Sequence, residues 1–180
     1  TSSIHSGNNI CEGAQHYGLE AAYLGQDGQF WALGEYTDYT AFRSGLDGAE
    51  VPDYNADSST LSMGYVLNGK KRYDIKKAAF KAPKVETKWP NKGTGVWEVA
   101  ARYSHVDMDD NNSSKILGGV MDNYTLGLNW YINGNAMIKA NYIRSIMNNK
   151  AAQNAGATSA SLNGGGASTD IYGMRFQYKF

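Results

Sequence analysis

The chain has 180 residues, a formal net charge of zero and one cysteine, Cys11. The balanced charge argues against a general nucleic-acid binder, and a lone cysteine forms neither an internal disulfide nor a cysteine-based metal cluster. No apolar run approaches the ~20 residues that a membrane-spanning helix needs. The 13 Tyr, 21 Gly and 4 Trp residues are typical of a β-barrel, in which alternate residues meet lipid and aromatic residues lie at both interfaces.

Seven segments alternate apolar and polar residues, a pattern that puts the apolar side chains on one face of a strand. They span residues 17–23, 30–39, 60–68, 96–106, 123–130, 136–146 and 170–180. The clear ones approach the ~9–11 residues of a tilted strand that crosses a bilayer, whereas strands of soluble proteins average ~5–6. The sequence therefore predicts an all-β, antiparallel transmembrane barrel.

The predicted connections alternate between short and long. Tight turns at 26–29 and 133–135 contrast with long loops at 41–59, 107–119 and 147–168. Outer-membrane barrels have short periplasmic turns and long extracellular loops. Strand parity then puts the long insert at 69–95 on the side of the short turns, where it is unexpected.

The last strand ends the chain on an aromatic residue. Apolar or aromatic side chains occupy every second position, at Tyr172, Met174, Phe176, Tyr178 and Phe180. Chain ends are usually polar unless something ties them down, although a buried terminal strand of a soluble sheet would also alternate. The ending resembles the closing strand of a bacterial outer-membrane barrel. This resemblance implies recognition of Phe180 by the barrel assembly machinery.

The insert is strongly basic, with nine Lys or Arg residues against two acidic ones between Lys70 and Lys92. Most such runs are solvated and flexible. Here Tyr73, Phe80 and Val85 offer apolar surface that would let the segment pack against a barrel wall. Folded toward the pore, it would exclude cations and attract anions, including phosphate. Both interpretations, pore lining and flexible turn, stay open.

Several stretches resemble the phosphate-selective porin O/P family. They are Tyr17–Ala22, Tyr65–Tyr73, Trp97–Ser104, Tyr124–Asn133 and Phe176–Phe180. The resemblance implies a trimeric, 16-stranded barrel in the bacterial outer membrane, in contact with lipid and lipopolysaccharide. The chain, residues 1–180, would supply the C-terminal part, about seven or eight strands, and the N-terminal half would be absent.

The same resemblance implies passive diffusion of anions such as phosphate. The expected anion-binding, pore-lining residues are Arg72, Lys76, Lys77, Lys81 and Lys84. The residues expected to face the lumen from the strands are Glu98, Arg102, Lys139 and Arg175. Because Glu98 and Arg102 share one face of a strand, they are predicted to form a lumenal ion pair.

Three alternatives remain: a porin for other solutes or a general porin, a soluble β-barrel binding module, and a small outer-membrane barrel enzyme. His5, His16 and His105 lack the spacing of a metal-binding pair. No nucleophile elbow or phosphate-binding glycine loop follows a strand. Neither an enzyme nor a bound metal or cofactor is therefore expected.

Overall fold

A computed structural model describes residues 11–44, 51–86, 93–110, 116–148 and 167–180. In chain order the strands are β1 (Cys11–Leu24), β2 (Phe30–Arg43), β3 (Tyr54–Val66), β4 (Arg72–Asp74), β5 (Ala79–Lys81), β6 (Val96–Asp110), β7 (Ile116–Tyr131), β8 (Ala136–Asn148) and β9 (Ala167–Tyr178). Seven of them form one sheet in the order β1-β2-β3-β6-β7-β8-β9, with every neighbouring pair antiparallel. The small β4–β5 hairpin stands apart from this sheet. The predicted all-β, antiparallel fold is confirmed.

The sheet strands are longer than predicted, between 12 and 16 residues. The predicted loops 41–59 and 107–119 are therefore partly wrong, because β3 begins at Tyr54 and β7 at Ile116. The predicted loop 147–168 lies mostly outside the described residues. Alternation of apolar residues marks only the part of a strand that meets an apolar medium. The hydrogen-bonded ladder continues beyond it with polar pairs such as Asp57 and Asp107.

One face of the sheet is apolar and uncovered. Its rows follow the register of the ladder, as in the row that joins Tyr65, Val99 and Leu128. Tyr172 is 80% exposed and Met174 is 84% exposed. A contiguous apolar surface that extends across all seven strands of the sheet marks contact with a membrane or a partner and is rare on a soluble monomer. The soluble binding module is therefore disfavoured.

Aromatic pairs border the apolar face at both ends. At the end with the short turns, the rings of Trp97 and Trp130 stack at 5.0 Å, nearly parallel. Toward the long loops, Tyr103 packs against Tyr124 with ring centres 5.1 Å apart. Trp97 and Tyr103 are separated by ~20 Å along β6. Two aromatic borders around an apolar band are typical of a strand that crosses a bilayer.

The insert lies at the end of the sheet that carries the short turns. The carbonyl of Gly28, in the β1–β2 turn, accepts a hydrogen bond of 2.7 Å from the Lys71 backbone N–H. Gly28 has a φ of 73°, which favours glycine. Val85 of the insert is buried with Val66, Val96 and Tyr131 of the sheet. The insert is thus tied to the sheet at Lys71 and at Val85.

Helical structure within the described ranges includes a 3-10 turn at Ile75–Lys77, which joins β4 to β5. No helix in those ranges is long and apolar enough to cross a membrane. The 3-10 turn is capped by Asp74, whose carboxylate accepts a hydrogen bond of 3.1 Å from the Lys76 backbone N–H. It ends at Ala78, which has a φ of 45°.

The assignment of faces predicts opposite outcomes for two neighbours on β9. Met174→Arg in the full-length barrel should lower the free energy of unfolding by about 2–4 kcal/mol, because the charge enters hydrocarbon. Gly173→Arg should change it far less, since a Cβ there meets nothing within 4 Å and points to the polar side. Urea titration in lipid vesicles measures both values. Equal losses would contradict the assignment.

Candidate pore-lining site

Opposite the apolar face, a row of polar side chains crosses four neighbouring strands. Glu98 pairs directly with Asn129, Asn129 with Lys139, and Lys139 with Arg175. Directly paired residues of antiparallel strands project from the same face. Arg102, four positions along β6 from Glu98, shares this face by the period of two. We call it the polar face, and it carries all four residues predicted to face the lumen.

Glu98 is the centre of a buried cluster on the polar face, with 0% of its surface exposed. One carboxylate oxygen, Oε1, accepts hydrogen bonds from the Lys71 amine and from Trp31 Nε1, the latter at 2.6 Å. The other, Oε2, accepts from the Tyr131 hydroxyl at 2.6 Å and from the Asn129 amide at 3.2 Å. A buried charge is tolerated only with a counter-ion and hydrogen bonds, and Glu98 has both.

Lys71 is buried together with its partner, at 8% exposure. Burial lowers the pKa of the Lys71 amine, while the hydrogen bond and the charge of Glu98 act in the opposite direction. The amine also lies 4.3 Å from the centre of the Trp31 ring, a cation–π contact. Lys71 therefore belongs to the buried cluster around Glu98 and does not contribute to the solvent-exposed charge of the insert.

Trp31 connects the buried cluster to the hairpin. A Cβ on Gly64 would lie 2.6 Å from Trp31 Nε1, so the absence of a side chain at Gly64 makes room for the indole. The Phe80 ring of β5 lies 5.2 Å from the Trp31 ring, and Tyr73 of β4 lies 5.0 Å from Phe80. These contacts fold the β4–β5 hairpin over the polar face.

The predicted anion-binding cations lie on the hairpin and just after it. All five, Arg72, Lys76, Lys77, Lys81 and Lys84, are exposed. Lys81 Nζ forms an ion pair of 2.9 Å with Asp74, and Lys84 Nζ lies 3.8 Å from Glu86. The insert thus presents several cations to solvent while its two acidic residues, Asp74 and Glu86, are held close to lysines.

Beside the buried cluster, the polar face forms a cavity of about 440 Å³. Its lining includes Lys71, Glu98, Arg102, Asn129, Lys139 and Asn141. The predicted ion pair between Glu98 and Arg102 is wrong, because residues four apart on a strand lie ~13 Å from each other. Glu98 binds Lys71 instead, and Arg102 Nε donates a hydrogen bond of 2.8 Å to the Ser62 hydroxyl.

A second polar group lies on the apolar side, toward the long loops. His105 Nδ1 is 2.9 Å from an Asp122 carboxylate oxygen. Ser59 pairs directly with His105 across β3 and β6. Within the described ranges, no group of three or more His, Cys, Asp or Glu residues is arranged to hold a metal ion.

The sequence did not reveal the partners of Glu98. Lys71 lies in a run with Lys70 and Arg72, and nothing in the run distinguishes the buried lysine from its exposed neighbours. Trp31 was a weak signal, since its apolar side chain disturbs the alternation of β2. In retrospect, an aromatic residue on the polar face of a barrel strand indicates that some other segment packs on it.

The fold and this face define the class of protein. A meander of long antiparallel strands, with an exposed apolar face opposite a charged one, is part of a membrane-spanning β-barrel. Residues 1–180 match the family described as "Phosphate-selective porin O and P", and the chain belongs to this family. Porin O of Pseudomonas aeruginosa is 30% identical over 139 residues, which cover 72% of this chain and 29% of that protein. The resemblance found in the motifs is thereby confirmed.

The Asp74–Lys81 pair predicts a pH dependence of the hairpin. The hydrogen bond from the Lys81 amine lowers the pKa of the Asp74 carboxyl. The pair therefore stabilises the hairpin above the ordinary pKa of aspartate, about 3.9, and its contribution is lost as the pH falls through the lowered value. NMR titration of the full-length barrel should show the lowered pKa, and Lys81→Met should return it toward normal.

Lys76→Met is the matched control for that titration, because Asp74 binds the backbone N–H of Lys76 and not its side chain. It should leave the pKa of Asp74 low. A normal pKa in the unmodified protein would contradict the ion pair.

Proposed function

We propose that this chain is the C-terminal part of an outer-membrane porin of Gram-negative bacteria, a channel through which small anions such as phosphate diffuse passively. The observation that carries the proposal is the charge of the polar face. Glu98 is neutralised by Lys71, so the cavity beside it is dominated by the cations Arg102 and Lys139. Arg175 pairs directly with Lys139 and extends the cationic row to β9.

Cations on the inner wall of a narrow pore act strongly, because low-dielectric walls focus their field. They raise the local concentration of anions and oppose the entry of cations. The amides of Asn129 and Asn141 line the same cavity and would offer hydrogen bonds to an anion that has lost part of its hydration shell. The wall thus supplies both attraction and partial replacement of water.

The insert at 69–95 is proposed to fold toward the pore and to line its periplasmic mouth. Support comes from the packing of Phe80 on Trp31 and of Val85 against Val66, Val96 and Tyr131. In this arrangement the exposed cations of the insert lie at the pore mouth, outside the cavity beside Glu98. They are Arg72, Lys76, Lys77, Lys81 and Lys84. Solute anions leaving the pore would pass these side chains.

The barrel needs further strands beyond those of this chain. Within the described residues, the outer edges of β1 and β9 have no strand partner, and open edges are not tolerated in hydrocarbon. The chain also aligns with only 29% of Porin O. We infer a 16-stranded, trimeric barrel in contact with lipid and lipopolysaccharide. Its assembly machinery would recognise β9 and the exposed Phe180.

One observation favours the alternative of a porin with broader solute selection. Glu20 and Glu35 are paired directly on the polar face of β1 and β2, and both are exposed beside a cavity of about 420 Å³. Two carboxylates would attract cations to that side of the pore. The relative weight of this acidic pair and the cationic row decides between an anion channel and a general porin.

Neutralising one wall cation tests the proposal directly. Lys139→Gln in the full-length barrel should reduce the anion-to-cation permeability ratio roughly twofold, because one focused charge is lost from the pore. Arg144→Gln is the matched control, since Arg144 lies on the same strand but on the apolar face, opposite Asp170. Reversal potentials in planar bilayers give both ratios. Equal effects, or a cation-selective unmodified channel, would contradict the proposal.

A separate variant measures how much the insert contributes to the anion-to-cation permeability ratio. Lys81→Glu with Lys84→Glu should also lower the permeability ratio, because the two exposed cations become anions at the proposed pore mouth. Glu86→Gln, which removes a nearby charge of the opposite sign, should instead raise the ratio. Unchanged reversal potentials in planar bilayers would place these lysines outside the ion path.

A further inference from the structure

Two residues, Lys71 and Trp31, join the β4–β5 hairpin to the polar face, and both are bonded to Glu98. Lys71 immediately precedes β4, so its buried amine and its backbone hydrogen bond to Gly28 together hold the start of the hairpin. Trp31 contacts the Phe80 ring on β5 and donates a hydrogen bond to Glu98. Glu98 is therefore bonded both to the residue before the hairpin and to the ring on which the hairpin rests.

We propose that the Lys71–Glu98 pair is the anchor that keeps the β4–β5 hairpin over the pore, and that Glu98 is a positioning residue for ion selectivity. The inference rests on the proposed anion channel and names the device that holds its pore-mouth cations. Glu98 would then support anion selectivity although it is itself an anion. Its charge cannot act on solutes directly, because the side chain is fully buried and bound to a lysine.

Loss of the carboxylate charge would leave the Lys71 amine without a counter-ion in a buried site. A buried charge without a partner is strongly unfavourable, so the amine would move to water. Because Lys71 is covalently next to Arg72, this movement would loosen the start of β4 and leave it to the backbone hydrogen bond from Lys71 to Gly28. In Glu98→Gln one of the two accepting oxygens becomes an amide NH2, so Trp31 and Tyr131 would compete for the remaining oxygen, which weakens the surface that supports Phe80. Val85 would still hold the far end of the insert.

The direction in which Glu98→Gln changes the anion-to-cation permeability ratio distinguishes an anchor from an ordinary lumenal charge. If Glu98 acted only through its charge, Glu98→Gln would raise the preference for anions. As an anchor, the same change should lower the anion-to-cation permeability ratio roughly twofold, because the hairpin cations leave the pore mouth. Single-channel conductance and current noise should rise together, since the path widens and the released hairpin moves.

Two further variants are matched to Glu98→Gln. Glu35→Gln removes an exposed carboxylate from the polar face that forms no ion pair within the described residues, and it should raise the permeability ratio. Lys71→Met with Glu98→Gln removes both charges of the neutral pair and leaves an apolar side chain against Trp31. A buried ion pair is often replaced in this way without loss. The double variant should therefore recover the conductance and selectivity of the unmodified channel.

Phe80→Ala provides a test that leaves the buried charges in place. It removes the ring that rests on Trp31 and should increase current noise and conductance in the same direction as Glu98→Gln, to a smaller extent. Heat-modified mobility on denaturing gels shows which variants form a barrel. If Glu98→Gln does not fold, recovery of the barrel by the double variant and the effect of Phe80→Ala decide the question.

The anchor is overturned if Glu98→Gln raises the permeability ratio as Glu35→Gln does, or if it leaves conductance and selectivity unchanged. It is also overturned if the double variant behaves like the single one, or if Phe80→Ala is silent. The behaviour of the unmodified channel distinguishes a failure of the proposed function from a failure of the anchor. An unmodified channel without anion preference refutes the proposed function, whereas an anion-selective channel indifferent to Glu98→Gln refutes the anchor alone.

Discussion

The polar face near the short turns is arranged around one buried negative charge, the carboxylate of Glu98. Its two oxygens accept hydrogen bonds from an amine, an indole, a phenol and an amide, contributed by the insert, β2 and β7. Burying a carboxylate without such partners would cost several kcal/mol. Three separate segments are thereby required to meet at one point. The position of the hairpin and the net charge of the neighbouring cavity both depend on that meeting.

The register of the sheet determines which charges can act together. Lys139 and Arg175 are neighbours because β8 and β9 pair at those positions, while Glu98 and Arg102 are kept apart because they share one strand. A shift of the register by one residue would move every charge of a strand to the apolar side. The long ladders of 12 to 16 residues make such a shift costly. The register thus holds the charges of the polar face in fixed positions relative to one another.

The seven strands of the main sheet and the separation of its two faces could be predicted from alternation, because a period of two is a local property of each segment. The placement of Lys139 and Arg175 on the polar face follows from the same period. The strand ends could not be predicted, since polar residues continue a ladder as well as they form a loop. The partner of Glu98 also could not, because the contact joins residues 27 positions apart through the fold of an insert that has no periodicity. Charge composition identified the insert, and only packing separates its buried lysine from its exposed ones.

A long basic connection at the side of the short turns has a physical reason in this arrangement. A charged segment left in solvent would place its lysines beyond a Debye length of the pore axis, where salt screens them. With the insert held against the sheet by Phe80 and Val85, the same lysines would lie at the proposed pore mouth, where low-dielectric walls focus their field. The aromatic residues of the insert and Trp31 on the wall are then explained together, since each supplies the apolar surface that the other needs. Placing a tryptophan on the water-facing side of a barrel strand is unfavourable on its own. It becomes favourable because the indole contacts the Phe80 ring, the Lys71 amine and the backbone at Gly64, and because its N–H donates to the Glu98 carboxylate.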